Sequence, residues 1–228
     1  MKLLAFDTAT TGCSAAVFVG GRLASRRAAA MARGQSEALM PMIADVLDEA
    51  GCAYADLDAL AVTMGPGAFT GLRIGLAAAR GLALGLNIPC AGVTTLEAVA
   101  RALPAGAGKG RHVLVALDSK RADLYAQVFN DKLEPVTDPA AIMAESLAGF
   151  CPAGPLVIMG DAAGNAADAL AAAGRKASCA EAPGVPDAVR VGEIALARAL
   201  PAVGDAPAPI YLRPPDAVRP RNGGRLRP

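Results

Sequence analysis

Met64-Gly65-Pro66-Gly67-Ala68-Phe69-Thr70-Gly71-Leu72-Arg73-Ile74-Gly75 joins an apolar run, Leu60-Ala61-Val62-Thr63, to a long Ala-, Leu- and Gly-rich segment ending at Leu86. The run reads as the end of a buried strand. Gly65 and Gly67 flank Pro66, a combination suited to a tight turn because glycine tolerates backbone angles that side chains forbid and proline fixes its own φ. Thr70 is the expected N-cap of the helix that follows. Strand, glycine turn and helix N-terminus together make an arrangement that can cradle phosphate. The spacing matches neither the Walker loop nor the dinucleotide fingerprint, and no Lys-Ser/Thr pair follows the glycines.

On the N-terminal side, Leu3-Leu4-Ala5-Phe6 reads as a buried strand ending in Asp7-Thr8. Residues 14–19 and 22–28 read as two further strands joined by the hairpin turn Gly20-Gly21. A helix is expected over 36–50, with Leu39, Met42, Ile43, Val46 and Leu47 on one face and Asp45, Asp48 and Glu49 on the other. Pro41 is awkward inside it. Residues 57–63 supply the next strand. The helix over 71–86 carries charge only at Arg73 and Arg80, which share a stripe with Ala77 and Leu84. A helix this apolar is either a core element or a subunit interface, and both readings stay open. Residues 93–103 form another expected helix, capped by Thr94 or Thr95.

Pro104-Ala-Gly-Ala-Gly-Lys-Gly110 reads as a linker. Beyond it the opening pattern returns: Leu114-Val-Ala-Leu-Asp118-Ser119 echoes Leu3-Leu-Ala-Phe-Asp7-Thr8. Without a gap, Ala126-Gln-Val-Phe129 falls on Ala15-Ala-Val-Phe18. Leu156-Val-Ile-Met-Gly160 resembles Ala61-Val-Thr-Met-Gly65 and leads into a helix over 162–173. A last amphipathic helix is expected over 189–200. The division expected is a first lobe over 1–103, a linker over 104–110, a smaller lobe of the same plan over 111–217, and a basic, disordered tail over 218–228.

Net charge is +1, which argues against a surface that grips nucleic acid everywhere. From Tyr211 onward, however, five arginines face one aspartate, leaving about −3 for the rest. That end is either a solvated tail or a contact for RNA phosphates. A hydrophobic share of 54 % with only 4 % aromatics describes a globular core built on Ala, Leu and Val. No run reaches the roughly 20 apolar residues of a membrane span, and no secretory apolar region follows Met1-Lys2. A cytoplasmic protein is expected. The five cysteines lack C-x-x-C spacing and read as buried free thiols.

A strand ending in Asp-Thr, a turn and a second strand, repeated in a second lobe, resembles the actin-like (ribonuclease H-like) α/β fold of sugar kinases, actin and the heat-shock ATPases. Each lobe would then be a mixed sheet flanked by helices. The Gly65–Gly75 stretch is similar to the signature of the TsaB (YeaZ) family of tRNA threonylcarbamoyladenosine biosynthesis. Phe6-Asp7-Thr8-Ala9-Thr10, Arg33-Gly34-Gln35-Ser36-Glu37 and Pro209-Ile210-Tyr211-Leu212-Arg213 match it too. Many members carry His where this chain has Gln35, so no role is carried to that position. The resemblance implies a non-catalytic scaffold that pairs with its paralogue TsaD, is joined by the ATPase TsaE, and meets tRNA through the complex. In that reaction a threonylcarbamoyl group passes to N6 of the adenosine beside the anticodon. A second copy of the chain is the competing partner.

TsaD holds its metal with two histidines of one helix and a carboxylate. This chain has one histidine, His112, so neither that site nor an H-E-x-x-H site can be built. No catalytic or metal-binding residue is assigned. In active relatives of the fold the first-strand aspartate helps hold hydrated magnesium. Asp7, Thr8 and Asp118 are therefore the candidates for nucleotide contact, with capping of their own turns as the other reading. No cofactor is expected on the chain alone, and a nucleotide could sit where it meets TsaD. The expected partner surface comprises Leu39, Met42, Ile43 and Val46 of the first helix with Gly71, Leu72, Gly75, Leu76, Ala78 and Ala79 of the second. The alternative is an autonomous enzyme, a glycoprotease-like peptidase or an ATP-dependent kinase-like protein.

Overall fold

The computed structural model describes residues 1–213. In chain order the elements are β1 (Lys2–Asp7), β2 (Gly12–Val19), β3 (Arg22–Ala30), α1 (Gln35–Glu49), β4 (Ala59–Thr63), α2 (Phe69–Leu86), β5 (Cys90–Val93) and α3 (Thr95–Ala100). The second half continues with β6 (His112–Asp118), β7 (Asp123–Phe129), β8 (Ala140–Met143), α4 (Leu147–Phe150), β9 (Leu156–Met159), α5 (Ala163–Ala172), β10 (Ala177–Cys179) and α6 (Ala188–Leu196). The tail expected over 218–228 lies outside the described residues.

Two five-stranded sheets share one plan. The first runs β3-β2-β1-β4-β5 and the second β8-β7-β6-β9-β10. In each, three antiparallel strands meet two parallel ones across the first strand of the half. The internal repeat read from the sequence is therefore an architectural one, with two adjustments of register. Asp7 faces Ser14 and Asp118 faces Leu124, so the second turn is one residue shorter and the gapless match is out of step by one. A one-residue slip exchanges the two faces of a strand, so the buried face fixes the register. The second adjustment concerns the fourth strands. β4 runs on past the Phe6↔Val62 pair to Thr63, whereas β9 stops at Met159, opposite Val115.

Helices cover both faces of each sheet. Leu39, Ile43 and Val46 of α1 and Leu76 and Ala79 of α2 pack on Leu4, Phe6, Val17 and Leu60. On the opposite face Ala188, Val191 and Ala195 of α6 meet Leu3, Ala5, Ala16 and Phe18. Leu96, Val99 and Ala100 of α3 lie on Val113, Val115 and Phe129 of the second sheet. Packing therefore does not divide at 104–110: the last helix of each half covers the other half's sheet. The segment 104–110 is itself an ordered run of turns, with Ala107 N–H donating to Pro104 O and Lys109 N–H to Gly106 O.

Several local expectations shift. α2 begins at Phe69 with Ala68 as an uncapped N-cap, which places Thr70 inside the first turn. Thr94 is the cap of α3, in a reciprocal capping box with Glu97. Pro41 lies inside α1, on its exposed side. β5, β8 and β10 have only three or four residues and no alternating pattern, so the sequence does not announce them. Cys13, Cys52, Cys90 and Cys151 are buried free thiols, but Cys179 is exposed on the edge strand β10. Among the described residues, α2 alone is long and apolar enough to cross a membrane, by length and composition only. In the fold it packs against β4 and α1.

Candidate functional site

The turns after β1, β4 and β6 and the start of α1 meet at a cleft of about 510 Å³ between the sheets. One wall carries Thr10, Thr11, Arg33, Gln35, Phe69 and Thr70, and the other Asp118, Ser119, Lys120, Tyr125 and Asp161.

Asp7 lies under this cleft but does not face it, being 1 % exposed. Its Oδ1 accepts the Thr63 hydroxyl at 2.5 Å and the Ala9 N–H at 3.0 Å. Burial, only partly offset by those hydrogen bonds, pushes its pKa up to about 7. Thr8 is equally buried, and its hydroxyl donates to Gly71 O at 2.7 Å. Asp118, the counterpart of Asp7, is exposed because β9 ends too early to cover it. Its carboxylate accepts Lys120 N–H at 2.6 Å and the Lys120 ammonium at 2.7 Å. The hydrogen bond from that ammonium holds the Asp118 carboxyl below its usual range. Asp118 N–H in turn donates to Asp161 Oδ1 at 2.8 Å. Both aspartates thus accept the N–H two residues on, the Asx turn that stabilises a tight bend. One is sealed from solvent and the other is neutralised by its neighbour.

The glycines of the signature serve close approach here. A Cβ on Gly67 would run into Ala9 O, and one on Gly71 into Thr8 O. At Gly75 it would come within 2.6 Å of the Thr8 hydroxyl and 3.4 Å of Val62. The β1 turn therefore lies directly on the first turns of α2, backbone to backbone. Gln35 is buried, and its amide donates to Met31 O at 3.2 Å.

The expected partner surface needs correction. Leu39, Ile43, Val46, Leu72, Leu76 and Ala79 are at most 3 % exposed, and Gly71 and Gly75 are closed off by the β1 turn. These residues hold the chain's own core, because a stripe read as apolar from sequence is spent first on the nearest sheet. Only Met42 and Ala78 retain partial exposure. The outward face of α2 is instead Phe69, Arg73, Ala77, Arg80, Gly81 and Leu84, with Leu84 85 % exposed.

The sequence of Pro209–Arg213 matches the family pattern but assigns the segment no task. The structure makes it a strap. Pro207 O accepts Arg80 at 2.8 Å, Ile210 N–H donates to Met64 O at 2.7 Å, and Tyr211 OH accepts Arg73 Nε at 3.1 Å. The Arg73 guanidinium also stacks 3.6 Å from the Phe69 ring centroid. Arg213 then crosses to the second lobe, where it donates to Ser119 Oγ at 2.8 Å and pairs with Asp123. An aromatic and two aliphatic residues inside a Pro- and Arg-rich end were the available signal.

Comparison with known proteins fits this geometry. The model of the TsaD family, tRNA N6-adenosine threonylcarbamoyltransferase, matches residues 28–178, more than half of the chain. The Escherichia coli tRNA threonylcarbamoyladenosine biosynthesis protein TsaB is 39 % identical over 125 residues, 55 % of this chain and 53 % of that protein. Its Haemophilus influenzae namesake is 34 % identical over 134 residues, 58 % and 56 % of the two chains. The chain spans about half the length of the curated relatives it matches. The structure of YeaZ from Pseudomonas aeruginosa superposes with a TM-score of 0.76 at 28 % identity, covering 92 % of this chain and 99 % of that one. A ROK hexokinase from Thermus thermophilus, at 15 % identity and a TM-score of 0.50, shares the actin-like fold alone. The chain belongs to the TsaD family of tRNA N6-adenosine threonylcarbamoyltransferases, and within it resembles the TsaB (YeaZ) proteins.

Proposed function

We propose that this chain is the accessory subunit that supports threonylcarbamoyl transfer to N6 of the adenosine beside the anticodon, in tRNAs reading codons that begin with A. It acts in the cytoplasm with the paralogue TsaD, which carries the chemistry, and with the ATPase TsaE. It meets tRNA as part of that assembly. The observation that carries the reading, beside family membership, is the outer face of α2, where Leu84 and Phe69 are 85 % and 54 % exposed. Burying such side chains on a partner is worth about 1.5–3 kcal/mol each. Without TsaD the same face takes a second copy of the chain.

Asp7 and Thr8 serve the β1 turn and Asp118 the β6–β7 turn, so the chain alone holds no nucleotide; one bound in the assembly is held jointly with TsaD. The sealing of Asp7 under Thr63 and the pairing of Asp118 with Lys120 support this. The competing reading, an autonomous kinase-like or peptidase-like enzyme, draws on the cleft and its exposed Asp118 and Asp161.

Reconstitution separates the two. Unmodified tRNA, threonylcarbamoyl-adenylate, ATP, TsaD and TsaE are combined with and without this chain, and the modified nucleoside is quantified by mass spectrometry. Modification that requires the chain, with no ATP turnover by the chain alone, is the expected result. Full modification without it, or turnover by the isolated chain, overturns the proposal.

A further inference from the structure

A second hollow, of about 880 Å³, opens at the far end of the second sheet from the cleft. It lies at the starts of β6, β9 and β10, whereas the cleft lies beyond the ends of β6 and β9. Lys109, Arg111, Arg175 and Lys176 line it, and among the described residues no aspartate or glutamate does. In a chain of net charge +1, four cations in one hollow concentrate positive potential.

Among the described residues, none of the hydrogen bonds that Arg111 and Arg175 make is to a carboxylate. Arg175 donates to the carbonyls of Ala148, Cys151 and Pro152 at 2.6–3.0 Å, acceptors without net charge that fix the guanidinium in place. Arg111 donates to Ser178 Oγ at 3.0 Å. The adjoining Asp131 accepts Gly110 N–H at 3.2 Å. Between the cations the walls are Gly110, Ala153, Gly154 and Pro155. A Cβ on Gly110 would meet nothing within 4 Å, so the backbone there is open to a bulky chain.

We infer that this hollow is a docking site for the phosphodiester backbone of RNA. Cations spread over two loops beside an edge strand, around a basin too wide to enclose one phosphate, suit an extended polyanion. Such contacts set position and affinity without reading bases. Lysine beside an edge strand also discourages strand pairing, but that role does not call for Arg175 and Arg111 held toward the same space. The inference deepens the function proposed above and rests on it for the choice of RNA over other polyanions.

The test uses the full chain with Lys109, Arg111 and Lys176 changed together to Gln. Arg175 is kept because it braces the Ala148–Pro152 loop. Binding of a labelled, unmodified tRNA transcript is followed by fluorescence anisotropy across a salt series. Loss of three phosphate contacts is expected to reduce the slope of log K against log salt by about 2 to 3, and low-salt affinity by about tenfold or more. The same drop in a chain lacking residues 218–228 assigns the effect to the hollow and not to the arginines beyond it.

An unchanged slope, or a wild-type chain without affinity at low salt, overturns the inference. So does millimolar inorganic phosphate displacing the tRNA, which marks a single-phosphate site. Polyglutamate of matched charge binding as tightly as tRNA marks an acidic-protein surface and overturns it as well. Modification assayed in parallel keeps the two proposals apart. If the chain supports modification while the variant keeps its salt slope, only the hollow is refuted. If it supports none while the variant loses slope, only the function is refuted.

Discussion

Thr63 donates its hydroxyl to the Asp7 carboxylate at 2.5 Å, where Asp7 is 1 % exposed and Thr63 equally so. The contact exists because β4 runs one residue past the Phe6↔Val62 pair. It converts a residue that could have faced a cleft into part of the core.

That burial has a pH signature. The folded carboxyl keeps its proton up to about 7, whereas an ordinary aspartate carboxyl titrates near 3.8. The folded state therefore holds more protons between those values, and stability falls as pH rises. The contribution is complete below about 4 and lost as pH rises through about 7. Asp7→Asn keeps an acceptor for Thr63 and Ala9 without the charge. It is expected to flatten the decline of Tm between pH 5 and 8 and to be more stable at pH 8 by about 1–3 kcal/mol. An Asn variant that melts below wild type at pH 8 contradicts this account.

Glycines within α2 should respond in opposite directions. Gly71→Ala places a methyl against Thr8 O, backbone against backbone, and is expected to cost about 2–3 kcal/mol. Gly81→Ala meets nothing within 4 Å on an exposed helix face and should gain about 0.5–1 kcal/mol. Urea unfolding of both variants checks the pair. Equal effects would mean that the β1 turn does not rest on α2.

Arg213 carries the strap from the first lobe to the second. Arg213→Ala removes its contacts with Ser119 and Asp123, worth about 1.5 kcal/mol for a charged hydrogen bond. Amide exchange at Ile210, whose N–H donates to Met64 O, should accelerate about tenfold. Tyr211→Phe loses only the Arg73 contact and should change exchange far less. Unaltered protection in the Arg213 variant would show that the strap is held by the first lobe alone.

Leu84→Asp probes the outer face of α2 without touching the core. At 85 % exposure the substitution should shift stability by no more than about 0.5 kcal/mol. On the proposed pairing with TsaD through this face, affinity read by titration calorimetry should drop at least about tenfold. Gly75→Leu is a poor probe of docking, since its side chain would strike Thr8 and Val62.

Thiol labelling offers a simple check of the second sheet's edge. Burial pushes the pKa of Cys13 up to about 11 and that of Cys90 up to about 12, and Cys52 and Cys151 are buried too. A native chain should therefore react rapidly with one equivalent of Ellman's reagent, at Cys179, and with five after denaturation. Rapid reaction of a second thiol would place another cysteine at the surface.

Much of the architecture was legible because local patterns report local needs. The Asp7-Thr8 and Asp118-Ser119 turns, the Gly20-Gly21 hairpin and the apolar periodicity of α1 follow from short-range geometry. Most residues expected to face a partner are buried, because periodicity identifies an apolar face without saying what covers it. Leu76 was taken up by the first sheet and Leu72 is buried too, leaving Phe69 and Leu84 outside. The cations of the second hollow are separated by more than sixty positions, Lys109 to Lys176, so no linear pattern could join them.

The sequence by itself determined the two-lobed α/β plan, the glycine-rich entry into α2 and the family, since these rest on residue types at fixed spacings. Tertiary structure decided the fates of the two aspartates. Both end a buried strand and both cap a turn, and nothing local distinguishes them. The difference is the reach of a neighbouring strand: Thr63 covers Asp7, while β9 ends before Asp118 and leaves it to Lys120 and water. How far a parallel neighbour extends depends on packing across the whole sheet, which no single segment encodes.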